Sequence, residues 1–100
     1  MLATERLEWN PWNGHLVRAG DEAYLLHVPT TAVFGIDELG REVIEHCARD
    51  GGMSIDELAE ALAHRHPPAR VRAFAGELRS LEMLQPAGCL KPINPRGAAV

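Results

Sequence analysis

The 100-residue sequence predicts an α+β domain in which a small antiparallel sheet precedes three amphipathic helices. Short β-prone runs come first and are separated by turn-forming residues at Gly20-Asp21 and at 28–31. Apolar residues then recur at helical spacing in segments divided by Gly51-Gly52 and Pro67-Pro68. A chain of this length forms one domain with a thin core.

The sheet is predicted from three runs. Residues 15–18 (HLVR) and 24–28 (YLLHV) form the first pair of strands around Gly20-Asp21. The run Thr31–Ile36 (TAVFGI) is rich in β-branched and aromatic residues, which favour a third strand. Residues 23–36 are therefore expected to form a β-hairpin.

The N-terminal segment, residues 1–14, has a turn-rich composition and is expected to contain at most a short strand at Arg6–Trp9. Its two indoles, Trp9 and Trp12, could cover the sheet, dock a partner enzyme or exchange between protomers. The sequence leaves these alternatives open.

The first two helices are predicted from their caps. The Asp37 carboxylate can accept hydrogen bonds from the free amides of a first turn, and Gly51-Gly52 ends that helix. Ser54 and Glu57 have the spacing of a capping box, and the second helix is expected to end near Arg65. The apolar faces consist of Leu39, Val43, Ile44 and Cys47 in the first helix and of Ile55, Leu58, Ala59 and Leu62 in the second.

A third helix is predicted over residues 69–82. Pro67-Pro68 prevents continuation of the second helix and suits a new helix start. Its apolar face, which we expect to pack in the core, consists of Val71, Phe74, Leu78 and Leu81. Residues 15–86 are thus predicted as the domain proper, and residues 87–100, rich in Pro and Gly, as a tail or linker.

Composition excludes several classes of function. The net charge of −4 and the pI near 5.7 weigh against general binding of polyanions. No apolar run is long enough for a membrane span, and the acids near the N-terminus do not fit a secretion signal, so we expect a cytoplasmic protein. Two cysteines without a CxxC spacing, Cys47 and Cys89, are expected to be reduced thiols.

The residues that could carry chemistry have simpler roles. Paired carboxylates lie on predicted solvated helix faces, where capping and solubility explain them. His64 and His66 have no third ligand at a suitable spacing, and Cys47 lies on an apolar face. We therefore predict no catalytic residue, no metal site, no cofactor and no enzymatic activity.

Two binding functions remain. A sheet beside three helices also describes a winged helix-turn-helix, in which Arg70, Arg72 and Arg79 of the last helix would contact DNA in a transcriptional regulator. The acidic balance of the chain and the lack of a basic wing argue against this alternative.

The favoured function is capture of an extended peptide. The strand 31–36 would offer a free edge and the third helix would wall a groove beside it, so that an incoming segment completes the sheet. The arginines could pair with acidic residues of the peptide. The candidate peptide-binding residues are Thr31, Ala32, Val33, Phe34, Gly35, Arg70, Arg72, Ala73, Gly76 and Arg79.

Three stretches support this reading by resemblance. Residues 25–37 (LLHVPTTAVFGID), residues 54–59 (SIDELA) and the spacing of Leu78, Leu81 and Leu84 resemble the PqqD-like domains that recognise precursor peptides of ribosomally synthesised and post-translationally modified peptides (RiPPs). The likeness covers roughly residues 15–86, with Ile36-Asp37 where that family usually has Leu-Asn. The resemblance implies a winged helix-turn-helix that binds a leader peptide as an added antiparallel strand.

The stretch HVPTTAVF at residues 27–34 is similar to the N-terminal region of radical S-adenosylmethionine (SAM) maturases of the quinohaemoprotein amine dehydrogenase type. Such enzymes carry a CxxxCxxC motif further along, and this sequence has none. The resemblance therefore implies that modification of the peptide is carried out by a radical SAM enzyme in trans, or in cis by a further C-terminal portion.

Overall fold

The computed structural model describes residues 5–49 and 51–91. The predicted α+β class is confirmed, because a three-stranded antiparallel sheet precedes three helices. The elements are strands β1 (Arg6–Trp9), β2 (Gly14–Ala19), β3 (Glu22–His27), β4 (Ala32–Ile36), β5 (Met53–Ser54) and β6 (Leu84–Pro86), and helices α1 (Glu38–Cys47), α2 (Ile55–Ala61) and α3 (Pro68–Ser80).

The first sheet has the order β2-β3-β4 and is antiparallel throughout. Gly20-Asp21 forms the predicted turn, since Ala19 lies opposite Glu22. The third strand begins at Ala32, one residue later than predicted. Thr31 has a φ of 57°, a left-handed conformation that places it in the turn and interrupts the extended backbone of the strand.

A second sheet has the order β5-β1-β6, with both neighbours antiparallel to β1. The short strand expected at Arg6–Trp9 is confirmed, whereas β5 was not predicted because its two residues carry no local strand pattern. The backbone N–H of Ala87 donates to the Arg6 carbonyl (2.9 Å), so the chain remains on β1 just after β6. Residues 1–4 and the part of the predicted tail at 92–100 lie outside the described residues, and the division into three segments stays a prediction.

The helix caps agree with the sequence. The Asp37 side chain accepts from the Gly40 amide (3.0 Å), and Ser54 and Glu57 form the reciprocal capping box. α2 ends at Ala61, earlier than predicted, and turns continue to Arg65, where the amides of Arg65 and His66 bond back to the Leu62 carbonyl. α3 begins and ends slightly before its predicted limits.

The core lies where the helices meet both sheets. It includes the predicted face of α1 and most of that of α2, where Ile55 is only partly buried, and Leu7 and Leu25 are contributed by the sheets. Leu78 is buried as predicted, while Phe74 and Leu81 are only partly buried against the core. Burial raises the pKa of the Cys47 thiol to about 12, so this sulfur stays protonated, and both cysteines are free.

A group of ion pairs joins α1 to the turn that precedes α3. The carboxylate of Glu42, a residue only 7% exposed, accepts from Arg65 (2.7 Å) and contacts His66 Nε2 at 3.0 Å. The predicted His64–His66 motif therefore contributes one imidazole to a contact between elements.

In residues 5–49 and 51–91 we find neither a group of three potential metal-ligating side chains nor a helix with the length and hydropathy of a membrane span.

Candidate functional site

β4 is an edge strand. It pairs with β3 from His27 opposite Ala32 to Ala23 opposite Ile36, and no strand among the described residues pairs with its other side. Alternate residues of such an edge direct N–H and C=O groups away from the sheet, where another extended chain can bond to them.

The side chains of β4 alternate between the two faces of the sheet. Phe34 lies opposite the buried Leu25 and so belongs to the face that packs on the helices. Val33 lies on the other face and is 62% exposed, and Phe34 itself is 43% exposed at the margin. The edge therefore displays apolar side chains on both faces.

A groove separates β4 from α3. It consists of two adjoining hollows of about 400 Å³ and about 230 Å³ that share Gly35, Ile36, Phe74 and Glu77. The first hollow is also lined by Asp37, Leu39, Arg70 and Ala73, and the second by Leu25, Phe34, Leu78 and Leu81. We call this region the β4–α3 groove.

Contacts at its two ends show how the walls are oriented. At one end Arg70 near the start of α3 lies 3.5 Å from the Asp37 carboxylate, just after β4. At the other end His27, opposite the first residue of β4, contacts the Leu81 carbonyl through Nε2 (3.0 Å). β4 and α3 therefore run in opposite directions along the groove.

His27 fixes the Leu81 end. A carbonyl can only accept, so Nε2 of His27 carries the proton of that bond. Nδ1 lies 2.8 Å from the Thr30 hydroxyl, which can donate to it when the ring is neutral. His27 is 5% exposed, and its two contacts hold the turn before β4 against the end of α3.

The charges that line the groove do not balance. Arg70 and Asp37 face each other, both about two-thirds exposed. The Glu77 carboxylate lines both hollows and has no ion-pair or hydrogen-bond partner within the part of the chain that the structure describes. Sequence reasoning missed Glu77, although its position three and seven residues after Phe74 and Arg70 could have placed it on their face of the helix.

The structure brings some of the predicted binding residues together. Phe34, Gly35, Arg70 and Ala73 line the groove, Ala32 and Val33 belong to its strand, and Thr31 lies in the preceding turn. The set as a peptide-binding site stays a prediction.

The other predicted residues of α3 point elsewhere. Arg72 pairs with Asp56 of α2, and Arg79 pairs with Glu5 at 3.0 Å. Gly76 lines neither hollow. Sequence alone could not separate these arginines from Arg70, because the packing of α2 and of the N-terminal segment decides which arginines pair with an acid outside the groove.

Comparison with known families identified a match that covers most of the domain. The family model described as Coenzyme PQQ synthesis protein D (PqqD) matches residues 22–84, from the start of β3 to the start of β6. The matched region includes both walls of the β4–α3 groove. The searches of curated proteins and of solved structures found no match.

Proposed function

The chain belongs to the PqqD family, and from this premise we propose that it binds the leader region of a ribosomally synthesised precursor peptide along β4. The family consists of non-catalytic domains that bind precursor peptides. In our proposal the leader adds to β4 as an antiparallel strand and lies in the β4–α3 groove.

The observation that carries the proposal is the combination of a free edge with a groove. The edge of β4 can supply main-chain hydrogen bonds, which give affinity for any extended chain. The groove can supply selectivity, because alternate side chains of an added strand would point towards α3. Both features lie inside the region that the family model matches.

Binding of this kind needs no covalent step in the domain. A bound leader would hold the rest of the precursor near a modifying enzyme, which makes modification an intramolecular event with a high effective concentration. We propose a radical SAM enzyme in the cytoplasm as that partner, in cis or in trans, from the likeness of residues 27–34 to such enzymes.

The proposal is tested by selecting binders from a displayed library of short random peptides. The tightest peptide is then titrated into the ¹⁵N-labelled protein, and amide shifts are followed. We expect saturable changes at residues 32–36 and along the groove side of α3, with little change in the β5-β1-β6 sheet.

A duplex DNA of random sequence, titrated in parallel, is the control for the regulator hypothesis. Saturable binding of DNA, with no selected peptide that shifts β4, would contradict the proposed function. Peptide binding confined to surfaces away from β4 would contradict it equally.

A further inference from the structure

Resting on the proposed function, we infer that the β4–α3 groove selects a leader in which a basic residue stands two positions before a large apolar residue. The basic side chain pairs with Glu77, and the apolar one fills the hollow next to Phe34 and Leu81. This assigns the chemistry of the ligand and makes Glu77 the residue that determines specificity.

The charge of Glu77 favours a basic residue in the guest strand. Glu77 lines both hollows, so any strand lying on β4 passes its carboxylate. Within the described residues nothing neutralises it, because Arg70 faces Asp37 and the neighbouring Arg72 and Arg79 are paired outside the groove. A peptide that covered Glu77 with an apolar or acidic side chain would leave a partly desolvated, unpaired charge, which is unfavourable.

The lining of the smaller hollow favours an apolar residue in the guest strand. The hollow of about 230 Å³ is open to solvent and is lined almost entirely by apolar side chains, with Glu77 as its one charged residue. Its lining consists of Leu25, Phe34, Ile36, Phe74, Leu78 and Leu81, with Gly35 and Glu77. Several of these are only partly buried or exposed, so an apolar guest residue would remove further apolar surface from water.

The spacing of Glu77 and Leu81 along the helix matches the repeat of a strand. Glu77 and Leu81 are one helical turn apart, a rise of about 6 Å. Residues of a strand that point to the same face repeat at about 6.6 Å, so neighbouring same-face positions of the guest match these two sites.

The order of the two residues follows from direction. β4 runs from the Leu81 end of the groove to the Arg70 end, as the contacts of His27 and Asp37 show. An antiparallel guest therefore runs from Arg70 towards Leu81, and it passes Glu77 before it reaches the Leu81 side of the smaller hollow. The resulting pattern is basic, any residue, large apolar.

The test uses the peptides selected above as probes. We expect the pool to be enriched in Lys or Arg two positions before Leu, Ile, Met or Phe. For the tightest peptide, replacing that basic residue by Gln should weaken binding by about fivefold, and Glu77→Gln in the protein should weaken it by the same factor. Combining both changes should cost no more than either one, because they remove the same contact.

Charge reversal sharpens the test. Glu77→Lys should reject the parent peptide and accept the version with Glu at the basic position. Glu60→Gln is the matched control, since Glu60 is an exposed acid on α2 away from the groove, and it should change affinity by less than about twofold. Amide spectra of each variant establish that it is folded.

The outcomes separate this inference from the proposed function. Suppose that selected peptides change the amide shifts of β4 but are not enriched in basic residues, or bind Glu77→Gln as tightly as the parent protein. The inference is then wrong, while strand addition stands. If no selected peptide changes the amide shifts of β4, both strand addition and this inference are wrong.

Discussion

The β2-β3-β4 sheet is built from neighbours in sequence, whereas the β5-β1-β6 sheet joins segments from both ends of the domain. In the first, a two-residue turn places Ala19 opposite Glu22. In the second, Arg6 lies opposite Ser54 and Trp9 opposite Leu84. We call the β2-β3-β4 sheet, which consists of hairpins between neighbouring strands, the local sheet. We call the β5-β1-β6 sheet, which pairs strands far apart in sequence, the closing sheet.

The closing sheet is fixed by side chains as well as by its ladder. Arg6 donates from Nε to the Gly51 carbonyl (2.9 Å), from Nη2 to the Gly52 carbonyl (2.6 Å) and from Nη1 to the Glu57 carboxylate (3.0 Å). Its edge strands are only two and three residues long, which leaves little ladder for another chain to extend. β4 is longer and faces a groove, so the local sheet is the one suited to a guest strand.

The largest effect that we expect is a loss of stability when Gly52, next to the closing sheet, is replaced. A Cβ at Gly52, where φ is 61°, would overlap the Leu7 carbonyl oxygen, which is backbone and cannot move aside. Gly51 has a φ of 82° but open space around it. We expect Gly52→Ala to lower the free energy of unfolding by about 3 kcal/mol or more and Gly51→Ala by about 1 kcal/mol.

Urea denaturation of both variants measures this difference. Because both glycines have positive φ, the comparison isolates the overlap with Leu7 from backbone strain. Equal losses in the two variants would show that β1 does not press against the turn as described.

A smaller effect is expected when Phe34 of the local sheet is replaced, and it should lower peptide affinity more than stability. Phe34→Ala removes part of the apolar lining of the groove. We expect it to weaken binding of the selected peptide about tenfold, equivalent to about 1.4 kcal/mol. Val17→Ala is the matched control, since Val17 is 47% exposed on β2, the other outer strand of the same sheet. Calorimetric titration should show unchanged affinity for that control, and equal losses would remove Phe34 from the site.

Replacing the arginines of α3 should change peptide affinity less than Phe34→Ala does. Arg70 lines the groove while Arg72 pairs with Asp56, so we expect Arg70→Gln to weaken the peptide about threefold and Arg72→Gln to leave affinity unchanged. The same titration measures both. A loss for Arg72→Gln alone would reverse the assignment of the binding arginine.

The smallest effect is the pH dependence of the closing sheet. The backbone N–H of Ser54 donates to the Glu57 carboxylate and, together with the nearby Arg6 guanidinium, holds the pKa of Glu57 below its ordinary value. The charged form thus contributes stability that is present above the unfolded pKa and is lost as the pH falls through the lower folded pKa.

Carboxyl NMR titration checks this directly. In Arg6→Gln the pKa of Glu57 should rise only part of the way, because the stronger influence, the Ser54 bond, remains. A full return to the ordinary value would show that Arg6 is the main cause.

Much of the fold could be predicted because its signals are local. The β-hairpin, the Asp37 cap and the Ser54–Glu57 capping box each depend on residues close in sequence, and the structure contains all three. The second sheet could be predicted only at β1. Two residues at β5 show no periodicity, and their pairing with Arg6 and Leu7 depends on long-range packing.

The candidate site was predictable to the same degree. The strand and the helix that wall the groove follow from local pattern, and the edge residues Val33 and Phe34 are exposed. Which α3 residues face the groove depends on how the helix is rotated against α2. For that reason Arg72 and Arg79 pair with acids outside the groove, whereas Glu77 faces it.

The central claim, that a guest strand completes the ladder on β4, is tested most directly by methylating single backbone nitrogens of the selected peptide. An added strand directs alternate N–H groups to β4, so methylation at every second position should weaken binding at least about tenfold and methylation between them should have little effect. Losses without this alternation, or none at any position, would contradict strand addition on β4.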